Sequence, residues 1–506
     1  MQREWFWASV LYLGLSCGSL YAQEQLRVVG NTVLSPRQIE EVVGAYGNKP
    51  IDRKDLEILA KELSRLYEEA GYITSRVEVT SDNTLKAVEG QLERVEIRGV
   101  KRTDPEYIRS RILLNQPPVL NIKEISDRVQ LLNNDPSFSK VSITLSRGSR
   151  ENSSVLEVMV EEAQEAGGFT AIDNLATAGV GEQEASVGLT LRNPSGIGDE
   201  MTISYNGSFT GGLRKGEWSY LIPVGPTQGT VFLRFAPTSF RITQPPFDQL
   251  NIRGDSRTYE ITYRQPLIRS FREELALSLG LTRQEGQTFI FNDLGTPFSI
   301  GPEADGTTRT TVIKLGQEYI ARSLDGAWFL KSQFNLGTGL LGGTYAENTP
   351  TANFLSWNGQ LQRAQFLSPD SVLTLSLESQ LSADPLLPPH QFTIGGANSV
   401  RGFQQGIRSG DNGLRLSLET RFTLARDDQT RRRILDIAPF LDLGTVWNHT
   451  QNPNPIPNQN FLISTGLSTV FEPIPRLLLK LDWGIPLVPL TDRKNREIHF
   501  SLSYGF

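Results

Sequence analysis

The side chains that ordinarily carry catalysis are scarce in this chain. There are three histidines, His390, His449 and His499, and a single cysteine, Cys17. Beyond the first twenty or so residues no Gly-x-Ser-x-Gly elbow occurs, no phosphate-cradling glycine loop opens a helix, and no His, Cys, Asp and Glu set has metal-ligand spacing. The scattered Asp and Glu pairs suit solvated faces. An enzyme is therefore not expected: no catalytic residue, no cofactor, no cofactor-binding residue and no metal ligand is assigned. What remains is chemistry of position. Gly395-Gly396-Ala397-Asn398-Ser399-Val400-Arg401-Gly402-Phe403 sits in the longest stretch without alternation, about 384–413, which opens with Pro385, Pro388 and Pro389. Two strands later comes Phe440-Leu441-Asp442-Leu443-Gly444, with Asp442 facing away from Leu441. On the residues alone two readings are open: a solvated loop arginine and a turn aspartate, or an arginine fork matched to a carboxylate.

The elements that must position these residues begin with a leader. Arg3, the apolar run from Trp5 to Leu15 and the closing Ser19-Leu20-Tyr21-Ala22 read as a secretory signal peptide over 1–22. Leu20 and Glu4 depart from the ideal pattern, and Gly14 stands where a lipoprotein signal wants an aliphatic residue. Cys17 leaves with this segment, so the mature chain is expected to carry no thiol, disulfide or cysteine metal site. At 506 residues the chain exceeds one ordinary core. Hydrophobic residues are 38% and mean hydropathy is −0.28, with no further apolar run long enough to span a bilayer as a helix. A net charge of −6 points away from nucleic acid as a partner.

Residues 24 to 162 mix helical and strand periodicity. Asp52 can cap a helix that puts Leu56, Leu59, Leu63, Leu66 and Tyr67 on one face and Asp55 at its third position, and Gly71 ends it. Alternating Ile73, Ser75, Val77 and Val79 predict a strand, and another follows around Lys86 to Val88. Val28-Val29-Gly30 followed by Pro36 and Ile39 repeats, with the same offsets, as Glu96-Ile97-Arg98-Gly99 followed by Pro105 and Ile108; Ser35-Pro36 and Asp104-Pro105 are both helix starts. Two modules result, 24–90 and 91–163, each strand, helix, helix, strand, strand. Two unrelated small α/β domains are the other reading of this region.

From Gly167 onward the helical period disappears. Leu275, Leu277, Leu279 and Leu281 alternate with Ala276, Ser278 and Gly280, while Leu414, Leu416, Leu418 and Phe422 interleave with Arg415, Ser417, Glu419 and Arg421. One face wants hydrocarbon and the other water, which fits a membrane barrel or one half of a soluble sandwich. The chain end favours the barrel: Ile498, Phe500, Leu502, Tyr504 and Phe506 alternate with polar or small residues, and such an apolar edge needs a partner strand. The stretch 167–506 parses into about 16 antiparallel strands, an even number as closure requires.

Here a resemblance becomes specific. Val400-Arg401-Gly402-Phe403 resembles the signature of the long inward-folded loop of the outer-membrane assembly and secretion superfamily, and Phe440-x-Asp442-x-Gly444 its partner motif on a later barrel strand. Asn193-Pro194-Ser195-Gly196-Ile197-Gly198-Asp199 and Tyr220-Leu221-Ile222-Pro223-Val224-Gly225 are similar to segments of the two-partner secretion transporters, which secrete haemolysins and filamentous haemagglutinins. Gly71-Tyr72-Ile73 resembles their first polypeptide-transport-associated (POTRA) module. The resemblance implies a membrane β-barrel of about 16 strands, preceded by two small α/β POTRA modules, in the bacterial outer membrane with the modules in the periplasm. It implies that Arg401, at the loop tip, reaches into the lumen and pairs with Asp442 on the wall. Val400, Gly402 and Phe403 are then the loop motif, and Phe440 and Gly444 the strand motif. Phe500, Leu502, Tyr504 and Phe506 are read as the membrane-insertion signal. Implied partners are an unfolded exoprotein captured by the POTRA modules, outer-membrane lipid and, during biogenesis, the barrel-assembly machinery. Family members often begin with a helix that plugs the barrel; only a few residues separate Ala22 from the first module strand, so no such plug is expected. Two rival functions share parts of this pattern, an assembly factor that inserts β-barrels and a passive porin.

Overall fold

The computed structural model describes residues 26–44, 52–80, 84–114, 118–291, 293–346, 350–488, 490 and 495–506; the expected signal peptide lies outside them. The first module runs β1 (Arg27–Val29), α1 (Pro36–Gly44), α2 (Arg53–Glu69), β2 (Arg76–Val79) and β3 (Thr84–Val88), in a sheet ordered β1-β3-β2. α2 starts where a carboxylate can serve the orphan amides. Asp52 accepts from the Asp55 amide at 2.8 Å, and Asp55 returns the bond to the Asp52 amide at 3.2 Å. Leu56, Leu59, Leu63 and Tyr67 then bury one stripe, against Leu85 and Ala87 among others, and Gly71 leaves the helix at φ +99°. The alternating run 73–79 pairs only from Arg76 onward, because the Ser75 amide turns back to the Tyr72 carbonyl at 2.9 Å.

The second module repeats that order with β4 (Gln91–Arg98), α3 (Pro105–Ile112), α4 (Ile122–Asn133), β5 (Phe138–Arg147) and β6 (Ser153–Glu162), in a sheet ordered β4-β6-β5. Asp104 caps α3 through the Glu106 amide at 2.8 Å, with Pro105 opening the helix. The described chain divides into two compact units. One holds the first module with 116–124 and 145–156; the other holds 95–115, 125–144 and everything from Glu157 onward.

The barrel closes through β7 (Ala166–Asp173), β8 (Glu184–Arg192), β9 (Glu200–Ser208), β10 (Leu213–Val224), β11 (Gly229–Arg241), β12 (Arg253–Arg269), β13 (Glu273–Ile290), the two-residue β14 (Leu294–Gly295), β15 (Thr307–Ser323), β16 (Gly326–Thr338), β17 (Phe354–Ser368) and β18 (Ser371–Ser382). It continues, after a long inserted connection, with β21 (Asn412–Arg426), β22 (Arg433–Trp447), β23 (Phe461–Phe471), β24 (Leu477–Pro486) and β25 (Ile498–Gly505). β14 only extends the edge of β13, which pairs fully with β15, so sixteen long strands form the wall. Closure is antiparallel: Leu502 faces Ile172 and Tyr504 faces Thr170. The last residue completes the seam, its amide and carbonyl bonding Gly168 at 2.9 and 3.0 Å.

Alternation has the expected physical result. Leu277, Leu279, Leu281, Leu315, Leu414, Leu418, Leu502 and Tyr504 are exposed outward, while their neighbours carry charge across the inner wall. Arg264 bridges Glu274 at 2.5 Å and Glu318 at 2.8 Å, and Lys331 adds to Glu318 at 3.3 Å. Connections alternate in length around the barrel: 270–272, 324–325 and 369–370 are tight turns, whereas 291–306, 339–353 and 383–411 are long. The tight end is the one at which the chain enters β7 from β6, and is periplasmic; the long end faces outward.

Candidate functional site

The connection 383–411 carries the site. Although its sequence shows no strand alternation, it folds a small hairpin, β19 (Phe392–Ile394) with β20 (Arg408–Gly410). Ile394, Val400 and Phe403 are fully buried in a cluster with Val446 and Leu462. An inserted loop gains a stable shape this way, because burial of apolar area offsets the ordering of a long segment.

At its tip Arg401 is only 5% exposed and Asp442 wholly buried. The Nε donates to Asp442 Oδ2 at 2.7 Å and Nη2 to Oδ1 at 2.9 Å, a two-pronged match of fork to carboxylate. The Arg401 backbone amide adds a third bond to Oδ2 at 3.1 Å. Nη1 donates to Glu419 at 2.7 Å, and the Ser417 hydroxyl donates to Asp442 Oδ1 at 2.6 Å. Asp482 lies 3.9 Å from Nη1. The guanidinium carbon also lies over the Phe440 ring, 3.4 Å from its centre.

The two motifs interlock because Phe440, Asp442 and Gly444 stand at every second position of β22 and so share its inner face. Phe440 stacks on the guanidinium, Asp442 pairs with it, and Gly444 leaves the space that Val400 fills; a Cβ there would sit 2.8 Å from a Val400 methyl. Gly402 adopts φ +90° with its backbone against β24, where a Cβ on Gly484 would meet the Gly402 amide nitrogen at 2.5 Å. All the residues of the expected loop and strand motifs are thus brought together. Phe500, Leu502, Tyr504 and Phe506 lie elsewhere, on the closing strand and chain end, with the last three exposed outward.

Sequence reasoning missed several members. Ser417 and Glu419 had been placed on the polar face of 414–422, but nothing in their spacing named Arg401 as partner. Gly466 and Gly484 gave no signal. Nor did Asp411, which is wholly buried and accepts from the Leu386 amide at 3.0 Å, Gln391 Nε2 at 3.1 Å, the His449 amide at 2.9 Å and Asn452 Nδ2 at 2.9 Å.

A second polar centre lies outside the membrane, where Glu162 gathers the segment leading into α3. Its Oε1 accepts from the Thr103 amide at 2.8 Å and hydroxyl at 2.7 Å, and from the Arg102 and Lys101 amides at 3.0 and 3.1 Å. Burial alone pushes this carboxyl up; the bonds from Thr103, then Arg102 and Lys101, outweigh it and hold it at about 2. A depressed folded value means the stabilisation is complete above the ordinary value of 4.5 and is lost as pH falls toward 2. Glu162→Gln is expected to cost about 1.5–3 kcal/mol at neutral pH, as for hydrogen bonds to a charged group. The gap between wild type and variant in the first thermal transition, measured on the full chain in detergent, closes between these pH values; a gap constant with pH would refute the assignment.

Fold and site together define a class: an outer-membrane β-barrel transporter with a periplasmic POTRA region and a loop folded into its lumen. A family model for the haemolysin secretion/activation proteins ShlB/FhaC/HecB matches residues 152–469, and a ShlB-type POTRA model matches 22–93. The outer membrane transporter CdiB of Dickeya dadantii is 25% identical over 456 residues, covering 86% of this chain and 78% of the relative. The hemolysin transporter protein ShlB of Serratia marcescens is 23% identical, covering 81% and 74%. Among solved structures, CdiB from Escherichia coli superposes with a TM-score of 0.76 at 21% identity, covering 95% of this chain and 89% of that one. The chain belongs to the ShlB/FhaC/HecB haemolysin secretion/activation family, the two-partner secretion transporters, and is a transporter of the outer membrane, not an enzyme.

Proposed function

We propose that this chain captures an unfolded partner exoprotein in the periplasm and passes it through the barrel to the cell surface without nucleotide hydrolysis. In this reading 24–90 and 91–163 are the capturing modules, 167–506 is the conduit, and Arg401 with Asp442 is the anchor that sets where the inserted loop lies in the lumen. The observation that carries it is the clamped loop: a closed sixteen-stranded barrel whose inserted loop is held by the buried Arg401 against carboxylates of β21 and β22. A passive porin needs no such clamp and no periplasmic modules. The modules offer β1, β2, β4 and β5 as sheet edges, to which an extended peptide of varied sequence can add by main-chain bonding. Folding of the exported chain outside the cell supplies the drive, since the periplasm offers no nucleotide. Phe500, Leu502, Tyr504 and Phe506 serve as the signal read by the barrel-assembly machinery, and afterwards the exposed apolar side chains of this strand contact lipid.

In a strain lacking the chain, the partner exoprotein is expected to vanish from the medium while the outer-membrane protein profile stays unchanged. Loss of other outer-membrane proteins would make the chain an assembly factor. Unchanged secretion with impaired uptake of small solutes would make it a porin.

A further inference from the structure

Two segments singled out in the sequence remain without a role in the lumen: 193–199 and 220–225. Both lie at the periplasmic end, in and beside the turns β8–β9 and β10–β11, and within one compact unit the first meets the start of α3 and the second its last turn. Asn193 Nδ2 donates to the Thr103 hydroxyl at 2.8 Å, and Asn193 Oδ1 accepts from the Gly198 amide at 2.7 Å, so one amide side chain ties the turn to itself and to the module. The Asp104 amide donates to the Gly196 carbonyl at 2.8 Å. Asp199 is buried, accepts from the Ser195 amide at 3.1 Å and receives the Tyr220 hydroxyl, which joins the second segment to the first. From the module side Arg102 reaches the Arg192 carbonyl at 3.1 Å, and Arg111, stacked 3.5 Å over the Tyr107 ring, reaches the Gly225 carbonyl at 3.4 Å.

The glycines are the strongest sign that the surfaces are fitted. Gly196 and Gly198 hold φ +86° and +78°. A Cβ on Gly196 would lie 2.8 Å from the Arg102 carbonyl oxygen, and one on Gly198 would lie 2.1 Å from the Tyr107 hydroxyl. The turn needs glycine for its own backbone and again for the approach of the module. Tyr107 is itself fixed, donating to Asp135 at 2.5 Å.

We propose that these two turns form a seat that holds α3 in one orientation at the periplasmic mouth, so that Asn193, Gly196, Gly198, Asp199 and Tyr220 are positioning residues for transfer of the exported chain. The inference rests on the transport reading for its consequence but not for its geometry. The seat is specific in a way a mere tether would not be: an isolated linker needs neither a buried aspartate nor glycines matched to a neighbouring ring.

The test places spin labels at Glu106→Cys on α3 and Gln429→Cys on the β21–β22 turn of the full chain and measures their distance distribution by pulsed electron paramagnetic resonance. Heat-modifiable mobility reports barrel folding. Wild type is expected to give one narrow distance. Gly198→Val, which expels the Tyr107 ring, and Asn193→Ala, which removes the bond to the Thr103 hydroxyl and leaves that hydroxyl's bond to Glu162 in place, broaden it while the barrel stays folded. Secretion of the partner falls roughly tenfold with Gly198→Val, equivalent to about 1.4 kcal/mol. A distance left narrow by both variants overturns the seat, whatever secretion does. A broadened distance with normal secretion overturns its role in transfer. A narrow wild-type distance in a chain that exports nothing would sink the transport reading and leave the seat standing.

Discussion

Arg401→Ala is expected to lower export of the partner polypeptide by roughly tenfold or more, while the barrel still inserts and migrates as a folded species. The reason is the imbalance the truncation leaves. Asp442 is wholly buried and takes three bonds from Arg401, and Glu419 and Asp482 face the same guanidinium. Removing the cation strands buried carboxylates, a class of change that costs about 3–5 kcal/mol when the site is dry. That penalty falls on the loop, whose tip has its principal polar tie here, and not on the strand pairing that closes the wall. Lysine does not substitute: it cannot present two parallel donors to Asp442 or place a guanidinium over Phe440, so Arg401→Lys is expected to resemble Arg401→Ala. Arg401→Ala combined with Asp442→Ala should lose less than the sum of the two, since each single change already breaks the same pair. Secreted partner in the medium, barrel folding by mobility and channel conductance in planar bilayers decide the matter. Normal export by Arg401→Ala would remove the loop anchor from the mechanism.

Asp411→Ala releases the outer end of the same loop. Its carboxylate is buried, has no arginine or lysine bonded to it among the described residues, and holds together the Leu386 amide, Gln391, the His449 amide and Asn452. Two of these donors come from the start of the inserted loop and two from the next outward connection, so one side chain at the loop's far end ties them. Each bond to a charged acceptor contributes about 1.5–3 kcal/mol, and an orphaned buried donor is costly in its own right. The expected result is cleavage within 383–411 by protease added to intact cells, at least about tenfold faster than in wild type, together with a rise in bilayer conductance. Asp411→Asn retains one acceptor oxygen and should fall between. Unchanged cleavage with Asp411→Ala would show that the β19–β20 hairpin and the apolar cluster around Val400 and Phe403 hold the outer end alone. The two variants separate tip from base: Arg401 acts where the loop meets β22, Asp411 where it leaves the wall.

Much of this molecule was legible in its sequence, because several of its rules are local. The period of two in 275–281, 414–422 and 498–506 sorts each side chain onto an apolar or a polar face without knowledge of its neighbours, and the apolar chain end favours lipid outside and lumen within. The Asp52 and Asp55 spacing and the leucine stripe behind it fix α2 by the same logic, and the repeat of glycine, proline and isoleucine gives the second module the order of the first. The loop and strand motifs pointed to Arg401 and Asp442 through their resemblance to a known pattern; on residues alone the pair was one of two open readings.

What only the tertiary structure decided is where those assigned faces meet. Glu419 joins Arg401 because β21 and β22 are in a register that sets Glu419 opposite Phe440 and Ser417 opposite Asp442. Gly466 and Gly484 matter because a ring and a loop backbone come within reach of their missing side chains, a condition set by strands that lie beside one another. Asp411 finds partners on both sides of it in the chain, and Asn193 finds Thr103 some ninety residues earlier. Alternation is a property of one strand and survives any register, whereas a close contact depends on the accumulated offsets of every strand pair between its members. The linear sequence therefore determined which residues face the lumen, and barrel closure determined which of them touch.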